Sequence, residues 1–152
     1  MSDDGLTHLD EKGRARMVDV GDKDITLRRA RATAAVHCSP AALEAFRSGD
    51  APKGDAAAAA RIAGIQAAKR THELVPLCHP LRISRVEVEV EAAGSGAQAR
   101  ILVTARVEAR ERTGVEMEAL TAVTAGLLAI YDMCKGRDRG MEIEGVRLLE
   151  KR

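Results

Sequence analysis

Val86-Glu87-Val88-Glu89-Val90-Glu91 alternates apolar and charged residues without a break. Successive side chains on a strand point to opposite faces, whereas a helix would spread these six around its whole circumference. The run is therefore a β-strand with one apolar and one wet face. Gly94-Ser95-Gly96 turns the chain, and Ile101, Val103, Ala105 and Val107 then alternate with Arg100, Thr104 and Arg106. Two such strands across a Gly-rich link form an antiparallel hairpin, with arginines facing glutamates across it. A lone hairpin is marginal in water, so its apolar face needs further strands and a covering layer.

The other segments supply that layer. Arg31 to Cys38 is a short β-compatible run. Pro40 opens a short helix, Ala41 to Arg47, which Gly49 ends. Asp55 suits the N-cap of an Ala-rich helix that the spacing predicts from Ala56 to about Glu73. Ile62, Ile65 and Lys69 share one stripe of it, and Lys69 and Glu73 stand at i, i+4. Pro76 and Pro80 forbid helix, so Val75 to Pro80 is a loop. After Gly114 comes a long helix, about Glu116 to Cys134, and then a last strand from Met141 to Leu149. The order β, α, α, β, β, α, β, with one short extra helix, gives an α+β fold: a ferredoxin-like antiparallel sheet with helices packed on one face. The whole chain, 1–152, reads as one domain. Residues 1 to about 20 read as a flexible arm, in which Met17-Val18-Asp19-Val20 is an apolar knot able to dock.

Composition narrows the function. The 24 Lys and Arg nearly balance 23 Asp and Glu, which argues against a nucleic-acid coat. With one Tyr, one Phe and no Trp, base stacking lacks its usual platforms. The 27 alanines bury little area each, so the core is thin and some apolar surface is expected between subunits. The longest weakly charged run, Ala119 to Tyr131, falls short of the roughly 20 apolar residues a bilayer needs, and the N-terminus has no apolar signal core. Three widely spaced cysteines without a CxxC pair point to a reducing cytoplasm and no structural zinc.

Reactive residues gather in three places. The first is Thr71 to Pro80, with His72, Glu73, Cys78 and His79. A helical zinc motif needs histidine where Pro76 stands, so that motif fails. Three readings remain: a non-helical Cys78/His79 metal site, a stiff loop whose histidine serves backbone groups, and a ligand-binding loop presenting Cys78 and His79 on one face. The second place is the long helix, where Glu118, Ala122, Ala125, Ala129 and Asp132 form one stripe. Small residues admit a close neighbour, so the stripe reads equally as a tight helix contact with solvated ends. Lys135 lies three residues past Asp132 and can hold it ionised. Glu118 and Asp132 stand roughly 21 Å apart along the helix at about 1.5 Å per residue. If both serve one pocket, they come from two chains. The third feature is the set Lys53, Lys69, Lys135 and Lys151: each alone is a solvated side chain, but together they would make an anion site. A lysine crowded by other lysines would also give up its proton more readily. No Walker A or dinucleotide glycine motif is present.

The runs LTHLD, MVDVG, KGD, ARIAGIQAAKRT, ELVPLCHPL, GVEMEALTAV, IYDMCK and VRLLEK, in that order, resemble the cyclic pyranopterin monophosphate synthase family, the molybdenum-cofactor biosynthesis protein C group. The resemblance spans Leu6 to Lys151. It implies a cytoplasmic homohexamer with active sites at dimer interfaces. The implied substrate is 3′,8-cyclo-7,8-dihydro-GTP, supplied by a radical GTP cyclase, and the products are cyclic pyranopterin monophosphate and pyrophosphate. It implies no cofactor, beyond Mg2+ accompanying the triphosphate. Position by position, it assigns Asp132, Lys135, Lys53 and Lys151 as catalytic. It assigns Leu77, Cys78, His79, Met117, Glu118, Glu116 and Lys69 to substrate binding. The residues alone also admit a non-catalytic nucleotide-binding scaffold, which product formation would separate from an enzyme.

Overall fold

The computed structural model describes residues 7–152, so the first six residues of the expected arm lie outside the described residues. Four strands, β1 (Thr26–His37), β2 (Ile83–Ala93), β3 (Arg100–Glu111) and β4 (Glu142–Lys151), form one antiparallel sheet in the order β2-β3-β1-β4. The helices are α1 (Pro40–Ser48), α2 (Ala56–Lys69), α3 (Thr71–Leu74) and α4 (Glu116–Cys134). Both α2 and α4 lie against the sheet and each other, on one face. This is the ferredoxin-like arrangement.

The alternating hairpin behaves as its pattern dictates. Ile101, Val103, Ala105 and Val107 are fully buried, and Val88 nearly so. Glu87 stands directly opposite Arg106, while Glu89 and Glu91 face Thr104 and Leu102 instead. The link uses glycine at two left-handed positions, Gly94 (φ 69°) and Gly96 (φ 55°), and a Cβ at Gly94 would also come within 2.1 Å of the Gln98 carbonyl oxygen. The Ser39 hydroxyl caps α1 by accepting from the Ala42 N–H at 3.2 Å.

Three boundaries differ from the sequence reading. β1 begins at Thr26 rather than Arg31, because its arginine-rich start pairs with the end of β3. There Arg28 donates to the Glu111 and Arg112 carbonyls, and Arg29 pairs with Glu108 at 3.2 Å. β4 runs to Lys151, two residues past Leu149. The Ala-rich helix stops at Lys69 instead of continuing to Glu73. The Thr71 hydroxyl donates to the Ala67 and Ala68 carbonyls, both at 3.1 Å, and the chain breaks at Arg70 before the short α3 turn. Lys69 and Glu73 therefore share no helix face.

The packed face of α2 is its smallest one. Ala56, Ala60, Gly64 and Ala68 are buried at four-residue spacing, whereas Ile62 is 58% exposed. At Gly64 a Cβ would sit 3.0 Å from the Ala122 carbonyl oxygen and 3.0 Å from Val88. At Gly126 it would sit 3.2 Å from Val103 and 3.4 Å from the Ala60 carbonyl oxygen. Of the predicted small stripe on α4, Ala122 lies at this contact while Ala125 and Ala129 are half-buried. Backbone thus approaches backbone, and α4 is clamped between α2 and the sheet. Among the described residues, α4 is the one helix long and apolar enough to cross a membrane, yet its buried residues face this protein core. Gly64→Leu is expected to cost about 1–3 kcal/mol by overpacking, outweighing the roughly 1 kcal/mol that helix propensity returns. Urea unfolding checks this against Gln66→Ala, on the exposed face, which stays within about 0.5 kcal/mol.

Candidate active site

The functional candidates fall at the two ends of α4. At its C-terminal end, Asp132 is braced by two ammonium groups. Lys135 Nζ reaches Asp132 Oδ1 at 2.8 Å, the expected i, i+3 pair. Lys53, from the loop before α2, reaches Oδ2 at 2.7 Å. The Lys135 and Lys53 hydrogen bonds hold the Asp132 carboxyl down to about 2. All three side chains stand about half exposed, so a further charged group could meet them. Asp132 in turn raises the Lys135 pKa, chiefly through their hydrogen bond. This corrects the expectation of a lysine that readily loses its proton: within one chain Lys135 is a fixed cation, because its nearest charge is a carboxylate.

A cavity of about 560 Å³ lies at the other end. The Val75–Pro80 loop supplies Leu77, Cys78 and His79 to its wall, and the start of α4 supplies Glu116, Met117 and Glu118. Lys151 reaches it from the end of β4 and pairs with Glu116 at 2.7 Å. Burial raises Glu116, but the Lys151 pair, its own backbone N–H and Arg28 outweigh this, leaving its pKa lowered. Glu118 has no such cation. It is 4% exposed, and burial followed by the nearby Glu116 charge raises its pKa despite a bond from its own N–H. Burial, then the Glu118 charge, likewise raises the Cys78 thiol. One end of α4 thus carries an exposed ionic cluster, and the other a half-enclosed cleft whose deeper carboxyl favours its proton.

His79 donates Nε2–H to the Val18 carbonyl at 2.8 Å, since a carbonyl oxygen can only accept. The Met17–Val20 knot is docked here, with Val18 and Val20 in the cavity wall. The loop's histidine serves a backbone group, and Cys78 and His79 both border the cleft. No group of three or more His, Cys, Asp or Glu able to hold a metal ion occurs among the described residues. Lys69 is exposed at the end of α2 and lies in neither group. The lysines thus do not converge in one chain: Lys53 and Lys135 meet Asp132, while Lys151 stands in the cleft. Sequence reasoning also passed over Thr7, His8, Lys23, Thr113 and Gly114, which line the cavity. The LTHLD run held Thr7 and His8, and GVEMEALTAV held Gly114, while Lys23 and Thr113 lie outside every motif.

A model of the MoaC family matches residues 17–152. The chain belongs to the MoaC family. The protein named cyclic pyranopterin monophosphate synthase from Methylobacterium sp. (strain 4-46) is 58% identical over 146 residues, 96% of this chain and 90% of that protein. Solved structures offer weaker likenesses. An aminobenzoyl-glutamate utilization protein from Klebsiella pneumoniae matches 82% of this chain and 28% of its own at 10% identity and TM-score 0.34. The de novo designed protein Foldit4 matches 84% of this chain and all of its own at 16% identity and TM-score 0.29. Scores that low carry no structural argument, and the MoaC match stands on sequence.

In this MoaC-family chain the bracing of Asp132 has a direct readout. Its carboxyl is expected to titrate near 2 by carbon-detected NMR. In Lys135→Met the titration moves up toward the ordinary value of about 3.9. Because the folded value lies below the unfolded one, the pair's contribution to stability is present above about 4 and lost as pH falls through about 2.

Proposed function

We propose that this chain converts 3′,8-cyclo-7,8-dihydro-GTP to cyclic pyranopterin monophosphate and pyrophosphate, a lyase step of molybdenum cofactor biosynthesis. The observation that carries this reading is its 58% identity, over 96% of its length, to a relative with that synthase name. The site chemistry supports it. The substrate joins a reduced ring rich in N–H donors to a triphosphate. Carboxylates at the cleft end, Glu116 and Glu118, suit the ring edge, and Leu77, Cys78, His79 and Met117 form the half-apolar wall against it. Compact ammonium groups suit the phosphates.

Closing the cyclic phosphate requires a ribose oxygen to attack the α-phosphorus. A new P–O bond forms, the bond from that phosphorus to the bridging oxygen breaks, and pyrophosphate leaves. Lys53 and Lys135, both paired with Asp132, offset the charge that develops on the leaving group. Glu118 keeps its proton more readily than an ordinary glutamate and suits proton donation to the ring during rearrangement. Lys69 belongs to the same substrate-binding set by resemblance alone, and Lys151 fixes Glu116 as well as adding charge.

A rigid helix separates the two groups by roughly 21 Å at about 1.5 Å per residue. In our reading the working site therefore joins the cleft of one subunit to the Asp132 cluster of another, in a homohexamer with sites at dimer interfaces. Exposed Ile143, Val146, Leu148 and Leu149 on β4, and the alanine-rich core, are in keeping with burial between copies. The substrate arrives from a radical GTP cyclase in the cytoplasm, and Mg2+ enters with the triphosphate.

Asp132→Asn is expected to retain the circular dichroism and oligomer of the parent and to lose turnover by about 10²–10⁴-fold, measured in a coupled assay with the radical cyclase. Near-normal product formation would remove Asp132 from the mechanism. Separately, hexamers reassembled from Glu118→Ala and Asp132→Asn chains are expected to regain part of the activity that each lacks alone. Verified mixed hexamers with no recovery would rule out a pocket combining those positions from two chains.

A further inference from the structure

The segment before β1 is a built structure. Leu9 pairs with Ala15 in an antiparallel bridge, and the Arg16 N–H donates to the His8 carbonyl at 2.8 Å. Asp10 organises the turn: Oδ1 accepts from the Lys12 and Arg14 N–H groups at 2.9 Å each, and Oδ2 from Arg14 Nε at 2.8 Å. Gly13 takes the left-handed conformation the turn requires, at φ 73°. The connection to the sheet is tied down by the His79–Val18 bond and by Arg112, which donates to the Gly21 carbonyl at 2.5 Å.

This small hairpin does nothing for the core. Every residue from Glu11 to Met17 is exposed, and nothing between Thr7 and Val20 is fully buried. Ordering a chain costs roughly 1–2 kcal/mol per residue, so a hairpin without a core is kept for what it presents. It presents Thr7 and His8 to the cavity that Glu118, Cys78 and His79 also line.

We infer that the hairpin is the outer wall of the substrate cleft and that His8 is a further substrate-contacting residue, hydrogen-bonding the ring-bearing part of the substrate. The inference rests on the proposed function. An imidazole offers one donor and one acceptor when neutral, in a cleft whose charged groups are two carboxylates, Glu116 and Glu118, and two ammonium groups, Lys23 and Lys151. The side chain is reached from solvent, so it meets the substrate on entry and holds it from the face that the core does not supply.

The test is steady-state kinetics on the full-length chain with the cyclic dihydro-GTP intermediate. His8→Ala is expected to raise KM at least five-fold with kcat within about three-fold of the parent. His8→Gln, which keeps a donor and an acceptor, restores a substantial part of that loss. Glu11→Ala, on the outer side of the same hairpin, keeps the parent's KM. If the parent turns over and His8→Ala has a KM within two-fold of it, the inference is wrong and the functional reading stands. A KM change as large in Glu11→Ala would also overturn it, by making the effect one of hairpin folding. A parent that makes no product from the intermediate overturns the functional reading, and this inference with it.

Discussion

Backbone-to-backbone contact between α2 and α4 is the constraint on which the rest depends. Gly64 beneath the Ala122 carbonyl and Gly126 beneath the Ala60 carbonyl let the two helices approach without intervening side chains. Such a contact resists sliding, because an added Cβ at Gly64 or Gly126 meets neighbouring atoms at 3.0 to 3.2 Å and forces them to shift. α4 becomes a fixed strut, and the charged groups at its ends inherit a fixed separation. An alanine-rich chain with a thin core thus gains rigidity from closeness rather than from bulk.

The two ends of the strut show how surroundings set the behaviour of one kind of group. Asp132 stands half in water between two ammonium groups and is held strongly ionised. Glu118, on the same helix, is buried beside a thiol and another carboxylate, and its proton is held more tightly. Glu116, two residues earlier, has its pKa lowered against its burial, chiefly because Lys151 reaches it. Desolvation, unlike charge and like charge are thus distributed over three carboxyls of one helix. A site assembled from both ends would hold a fixed anion with its cations and a carboxyl of raised proton affinity, properties that suit charge neutralisation and proton transfer.

Where pattern and local chemistry coincide, the sequence was legible. The Val/Glu alternation gave the hairpin, Ser39, Pro40 and Gly49 delimited α1, and the spacing from Glu116 to Cys134 gave α4. The Asp132–Lys135 pair followed from helical spacing alone. Two of the errors come from long-range partners and one from a local hydrogen bond. The arginines that begin β1 look like loop until β3 supplies carbonyls and Glu108. The stripe of Ile62 and Ile65 drew attention to α2, but its packed face is the one with the smallest side chains. The break at Arg70 came from a threonine hydroxyl turned back on the helix. Of the site, the LCH and EME segments were found because their residues are chemically conspicuous, while His8 and Lys23 sit in polar stretches with no period.

The sequence by itself determined the antiparallel sheet with helices on one face, since alternation and helical spacing are properties of neighbouring residues. It also determined the reactive inventory and, through the order of its motifs, the family. Tertiary structure alone decided which of those residues meet. Lys53 joined Asp132 across 79 positions, Lys151 joined Glu116 rather than Asp132, and Val18 closed on His79. Such meetings depend on where helices cross and strands end, which follows from the packing of the whole chain and is written in no short segment of it.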